Sequence, residues 1–162
     1  MVKVLTEFFN FMFGIEARGV LQPDMLTRLK EKVEGWFCEE AFPSLQEITC
    51  AASLAHYGLV SSVRYMRLRD VNLTSVPAQH LASLVSCVTR SVEINNRNVI
   101  GCDLVSLWPS LRCEAVDFSF KLEYSEEQAL VQAMRRHLHP VYLRIREGNR
   151  YWITYSELDP WF

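Results

Sequence analysis

The segment that decides the fold runs from Val63 to Val88, VRYMRLRDVNLTSVPAQHLASLVSCV, and its hydrophobic period changes partway along. In the first part Met66 and Leu68 alternate with polar residues, which is the period of a half-buried β-strand. In the second part the apolar residues are spaced as on one stripe of an α-helix: Leu81, Leu84, Val85 and Val88. The segment therefore predicts a strand, a turn and a helix in succession.

The same alternation recurs three more times along the chain. It is found again at residues 92–94, 116–118 and 141–143, so that the steps from Met66 are 26, 24 and 25 residues. The first three strands are each followed by a helical stripe, and repeats of this length are the sequence signature of solenoids. The sequence predicts an α/β fold: a short solenoid with parallel strands on one side and helices on the other.

The helix boundaries have their own signals. Ser44 with Glu47 forms a capping box that opens a helix before the first strand, and Gly58 is placed to end it. In the second repeat Pro109 interrupts the helical pattern, which predicts a short helix or a 3₁₀ turn. In the third repeat the run Ser125-Glu126-Glu127-Gln128 predicts another capping box.

The chain divides into three regions in this interpretation. Residues 1–43 are predicted to be a helical N-terminal cap, 44–147 the repeat block, and 148–162 an aromatic-rich tail. The tail is expected either to pair as a last strand or to fold over the open end of the solenoid. In the first helix of the cap, Phe11 and Phe13 lie off the apolar stripe, so we expect them to be partly exposed or to mediate self-association. A second helix is expected to start at Pro23-Asp24.

Composition narrows the class of protein. The net charge of −2 and the pI near 6.1 give no basic footprint for nucleic acid or an anionic membrane. No apolar run reaches the roughly 20 residues of a membrane span, and no cleavage site follows the apolar N-terminus. The five cysteines are an odd number without a CxxC pair, which favours reduced thiols. We therefore expect a cytoplasmic protein without nucleic-acid or membrane partners.

The repeat block resembles leucine-rich repeats of the ribonuclease-inhibitor type. The aromatic run from Phe8 to Gly14, with Leu26, Leu29 and residues 32–36, is similar to the helical segment that precedes such repeats in NLR receptors. These are the nucleotide-binding, leucine-rich-repeat sensors of innate immunity, and similar repeats are abundant in bony fish. The resemblance implies a binding module from the rear part of an NLR-like protein, with NLR-like relatives among its partners. The GxxxxGK[ST] phosphate loop is absent, so no nucleotide cofactor is expected.

No catalytic or metal signature is present in the sequence. His137 and His139 are two apart, a spacing that does not converge on one ion in a helix, and His56 and His80 have no evident acid or nucleophile partner. We therefore expect no metal, no cofactor and no catalytic residues, and a non-catalytic protein–protein interaction module. The resemblance to NLR receptors implies that this module is a regulatory or truncated NLR-like protein of innate immunity. The alternatives are a structural remnant without a dedicated partner and, third, an enzyme whose catalytic residues are distant in sequence.

The period-2 rule sorts the strand residues into two faces. The residues expected to face the core are Met66, Leu68, Val92, Ile94, Val116, Phe118, Val141 and Leu143. The outward residues form one predicted row of Arg67, Glu93, Asp117 and Tyr142 and a second row of Arg69, Asn95, Ser119 and Arg144, with Tyr65 beside them. Parallel strands lie about 4.8 Å apart, so Arg67 is expected to meet Glu93, and Asp117 to meet Tyr142. This face is either the partner-binding surface or a solvated face whose charge pairs contribute about 0–1 kcal/mol each.

Overall fold

The computed structural model of the protein describes residues 23–95, 104–137, 141–147 and 150–155. The helices are α1 (Pro23–Trp36), α2 (Leu45–His56), α3 (Ala78–Cys87), α4 (Leu104–Leu107) and α5 (Tyr124–Arg136). The strands are β1 (Val63–Leu68), β2 (Val88–Ile94), β3 (Ala115–Phe118), β4 (Tyr142–Glu147) and β5 (Arg150–Tyr155). Two 3₁₀ turns, Leu73–Ser75 and Trp108–Ser110, complete the described elements.

The five strands form one sheet in the order β1-β2-β3-β4-β5. The first four run parallel to one another, and β5 pairs with β4 in the antiparallel direction. Helices connect the parallel strands, as parallel connections require. The predicted α/β class is confirmed, and the aromatic run near the C-terminus forms a last strand of the sheet.

The core lies against one face of the sheet. All eight residues predicted to face inward are buried, and they belong to one apolar cluster with helix residues such as Leu54, Leu84 and Met134. Strand alternation sets this result, because successive side chains point to opposite faces of a sheet. The inward side of the strands is thus as predicted.

The register of β4 differs from the prediction. Val116 lies opposite Leu143 rather than Val141, and Asp117 lies opposite Arg144 rather than Tyr142. The third step between matching positions is therefore 27 residues rather than 25. A shift of two residues keeps every side chain on its own face, so hydrophobic alternation cannot distinguish the two registers. The predicted outward rows are wrong at this strand.

The start and end of α2 follow the predicted signals. The backbone N–H of Ser44 donates to Glu47 at 2.7 Å, and the N–H of Glu47 donates to Ser44 Oγ at 3.3 Å, which completes the capping box. At the other end Gly58 adopts a φ of +74°, and Leu59 N–H returns to the carbonyl of Leu54 at 2.9 Å. Both ends of α2 are confirmed.

The other two helix predictions have different outcomes. Pro109 limits α4 to four residues, after which the chain continues as the 3₁₀ turn, as predicted. Helix α5 begins at Tyr124, and its N-cap is Glu123, two residues before the predicted cap; Glu126 accepts the backbone N–H of Glu123 at 2.7 Å. Ser125 therefore lies in the first turn, and its predicted capping role is wrong.

Of the two helices predicted in the N-terminal cap, only the second falls within the described residues. Helix α1 begins at Pro23, as expected from the Pro23-Asp24 pair. The aromatic helix predicted before it, with Phe11 and Phe13, falls outside the described residues, as does His139. Within the described ranges, no helix combines the length and the apolar character needed to cross a bilayer.

Candidate functional site

Four charged side chains stand in one register row across the parallel strands: Arg67, Glu93, Asp117 and Arg144. Arg67 Nε lies 2.7 Å from Glu93 Oε2, which confirms the predicted meeting of these residues. At the other end, Arg144 Nη2 donates to Asp117 Oδ2 at 2.7 Å, and its Nε lies 2.6 Å from Oδ1. The row thus has the charge order + − − +, in which an outer arginine offsets each of the two central carboxylates.

This row is less exposed than the sequence predicts. The side chains of Glu93 and Asp117 are 14% and 12% exposed, and those of Arg67 and Arg144 are 22% and 35% exposed. Burial requires each carboxylate to keep its partner, since an unpaired buried charge is costly. The alternative of freely solvated lateral pairs therefore does not describe this row. The two arginines stabilise the fold by neutralising the largely buried carboxylates.

The segment before α2 accounts for the burial of Arg67. Its Nη1 donates to the backbone carbonyl of Glu39, and its guanidinium lies 4.4 Å from the centre of the Phe42 ring. The guanidinium of Arg69 lies over the same ring at 4.0 Å. Sequence analysis missed Glu39 and Phe42, because neither belongs to the repeat pattern and no local signal connects them to the sheet. Phe42 thus holds the guanidinium groups of two outward arginines against one aromatic ring.

A second register row lies beside the charged one: Tyr65, Ser91, Ala115 and Tyr142. Ser91 and Ala115 have short side chains, and they lie between the two tyrosines, whose backbones are three strand spacings or about 14 Å apart. The result is a depression of about 550 Å³, which also has Arg90, Glu114 and Arg144 in its lining. Tyr142 is 41% exposed at its edge. We call this feature the tyrosine depression.

A β-bulge adds a charge pair to the tyrosine depression. Val63 pairs with Val88, yet Tyr65 pairs with Ser91, so β2 carries one extra residue and Arg90 turns outward. Arg90 Nη1 lies 3.0 Å from both carboxylate oxygens of Glu114, and this hydrogen bonding raises the pKa of Arg90. Both side chains are more than half exposed. Simple alternation assigns Arg90 to the inward face, so sequence analysis missed the pair.

The other three predicted site residues lie around the charged row. Arg69 is exposed and stacks on Phe42, as described above. Ser119 Oγ lies 3.5 Å from Glu93 Oε1, and Asn95 donates its backbone N–H to Leu68 at 3.0 Å. The structure therefore brings Ser119 to the row and holds Asn95 through its backbone at the end of β2.

His80 contacts a serine of the preceding helix: its Nδ1 lies 3.2 Å from Ser53 Oγ. His56 and His80 stack at 4.3 Å, where burial and then the charge of His56 lower the pKa of His80. Burial raises the pKa of Cys50 to about 12 and that of Cys113 to about 11, so both thiols are protonated and poorly nucleophilic at neutral pH. In the described segments, no three His, Cys, Asp or Glu side chains are grouped to hold a metal ion.

Comparisons with protein-family models, with curated proteins and with solved structures returned no significant match. The resemblance to leucine-rich repeats and NLR receptors therefore stays a prediction from the sequence.

Proposed function

We propose that the protein is a non-catalytic interaction module that binds a protein partner through the outward face of β1–β4. The observation that carries this proposal is the tyrosine depression beside a row of fixed charges. Tyrosine and arginine are enriched among the residues that dominate binding energy at protein interfaces. The depression offers a partner side chain a recess between Tyr65 and Tyr142, with charged groups on two sides.

The contacts within the face favour binding because they hold it in one arrangement. Arg67 is fixed by Glu93, by the Glu39 carbonyl and by Phe42, while Arg144 is fixed by Asp117. Side chains that are already ordered lose less conformational entropy when a partner binds. The mixed charges suit a protein surface better than a phosphate backbone, which would require an excess of cations.

In the same proposal, the strand–helix units are a short leucine-rich-repeat solenoid with a helical N-terminal cap. Register-matched positions recur at steps of 26, 24 and 27 residues, a spacing consistent with such repeats. The regulatory role in innate immunity and the NLR-like partners rest on the sequence resemblance. A cytoplasmic location is part of the same proposal, and it rests on the thiol usage of the chain.

The proposal is tested by capture of partners on immobilised protein, with quantitative comparison of variants. Arg69→Glu and Tyr142→Ala each change an exposed side chain of the face. Neither side chain takes part in an ion pair among the described residues. Arg135→Glu is the matched control, because it reverses an exposed arginine on α5, away from the sheet. We expect both face variants to reduce capture of a specific partner at least tenfold while the control retains it.

Two results would count against the proposal. Capture that survives both face variants, with unchanged melting temperatures, would place the binding surface elsewhere, for example on the N-terminal segment with Phe11 and Phe13. Absence of any partner whose capture depends on the face would favour the structural remnant instead.

A further inference from the structure

A groove of about 600 Å³ lies between the α4 segment and α5, and it involves none of the residues of the outward face. Its described lining consists of Val105, Pro109, Arg112, Ala129, Gln132, Ala133, Arg136 and His137. The groove has a cause in the sequence. Helix α4 has four residues, whereas α2 has 12 and α3 has 10, because Pro109 stops the helix after one turn. The groove lies beside this break in the helix.

Small and apolar residues form much of the groove surface. Ala129 and Ala133 are four residues apart on α5, so they lie on one side of that helix. Val105 and Pro109 face them from the α4 segment, and Val105 is 37% exposed. The groove thus presents an apolar surface that solvent reaches, and burying such surface under a ligand is favourable.

The charged residues of this groove are of one sign. Arg112 donates from Nη1 to the carbonyls of Pro109 at 3.0 Å and Leu111 at 2.7 Å, which positions its guanidinium. A guanidinium has five N–H donors, so others remain for a ligand. Arg136 is exposed and makes no ion pair or hydrogen bond with the described residues. No acidic side chain is present among the described lining residues, so none of them offsets the two arginines.

We propose that this groove binds a small anionic amphiphile, namely a carboxylate attached to an apolar body such as a medium-chain fatty acid. Two guanidinium groups suit a carboxylate, with which arginine can form two parallel hydrogen bonds. The volume falls within the usual range for small-molecule sites, roughly 300–1,000 Å³. From Ala129 to Arg136 the groove follows α5 for only about 10 Å, which is short for a partner helix and favours a small ligand.

The probe for the test is decanoate, titrated into the protein by isothermal calorimetry, with decyltrimethylammonium as the amphiphile of opposite charge. We expect one decanoate per chain and at least tenfold weaker binding of the cation. The Arg112→Glu/Arg136→Glu variant should weaken decanoate binding at least tenfold, and Ala133→Trp should do the same by filling the groove. Arg135→Glu is the control, because Arg135 neighbours Arg136 without lining the groove.

Several outcomes would overturn the proposal. The proposal is wrong if decanoate does not bind, if both amphiphiles bind equally, or if binding survives in a folded Arg112→Glu/Arg136→Glu variant. Binding of an acidic amphipathic peptide in the groove without binding of decanoate would assign it to a protein partner instead. Because the variants leave the outward face intact, a failure here is distinguishable from a failure of partner capture.

Discussion

The pair between Asp117 and Arg144 yields the sharpest stability prediction. We consider Arg144→Gln, which keeps a long polar side chain but removes the charge that faces Asp117. The Asp117 side chain is 12% exposed and lies opposite Glu93 in the register of β2 and β3. Without the guanidinium, the largely buried carboxylate of Asp117 lies beside the carboxylate of Glu93 and has lost its own ion-pair partner. The folded state should therefore lose stability.

The magnitude follows from burial. A hydrogen bond to a charged group contributes about 1.5–3 kcal/mol, and breaking a fully buried pair costs about 3–5 kcal/mol. The Arg144 side chain is 35% exposed, so solvent screening reduces the effect in this protein. We expect a loss of about 1–3 kcal/mol, which for a chain of this size lowers Tm by about 2–4 °C for each kcal/mol.

The assay is urea unfolding at pH 7 of a double-mutant cycle with Asp117→Asn and Arg144→Gln. The matched control is the same cycle on Arg90 and Glu114, a cross-strand arginine–carboxylate pair whose side chains are 56% and 63% exposed. We expect clear coupling for the first pair and much weaker coupling for the second. Equal coupling for the two pairs, or none for Asp117 and Arg144, would refute the argument from burial.

Three further predictions concern stability. Leu68→Ala should cost roughly 2–5 kcal/mol in chemical unfolding, because Leu68 is 3% exposed in the core, and a cost under 1 kcal/mol would contradict its burial. Ser44→Ala should cost about 1 kcal/mol through loss of the α2 cap, while Ser125→Ala should be nearly neutral in the same assay. Burial raises the pKa of Cys50 to about 12 and of Cys113 to about 11, above the ordinary 9.0. Their contribution is therefore complete below pH 9 and is lost as pH rises through about 11 for Cys113 and about 12 for Cys50, by up to about 1.4 kcal/mol per pH unit for each thiol. Cys50→Ala should reduce this alkaline slope of the unfolding free energy, and an unchanged slope would refute the assignment.

Local sequence signals were sufficient for the parts of the fold that depend on one strand or one helix at a time. The inward face of each parallel strand follows from alternation, as the burial of Met66 and Phe118 shows. The break at Pro109 follows from proline chemistry in the same way. Each of these outcomes depends on a few neighbouring residues.

Features that depend on how segments meet were harder to predict. The register of β4 was missed by two residues because a shift of two keeps every side chain on its own face, so the pattern alone does not decide which residue faces Asp117. The bulge that turns Arg90 outward and the contact of Phe42 with Arg67 arise between distant segments. The corrected register matters for the site, because it moves Arg144 into the charged row and Tyr142 into the depression.

The corrected register also changes which substitutions can test binding. On a solvated sheet face, reversal of Arg67 and Arg144 would be nearly neutral for stability, because exposed charge pairs contribute little. The structure places both in partly buried pairs, so their reversal would disturb the fold together with any binding. Arg69 and Tyr142 are the cleaner positions, since neither belongs to an ion pair of the described residues.

The most direct test of the outward face as the binding surface is site-specific photocrosslinking in the presence of the captured partner. The photoreactive residue p-benzoylphenylalanine would replace Tyr142, which is 41% exposed at the tyrosine depression, or Tyr124, which is 77% exposed at the start of α5. Both replacements substitute one aromatic side chain for another. We predict a covalent adduct with the partner from position 142 and none from position 124. An adduct from position 124 alone, or equal adducts from both, would contradict the proposed face.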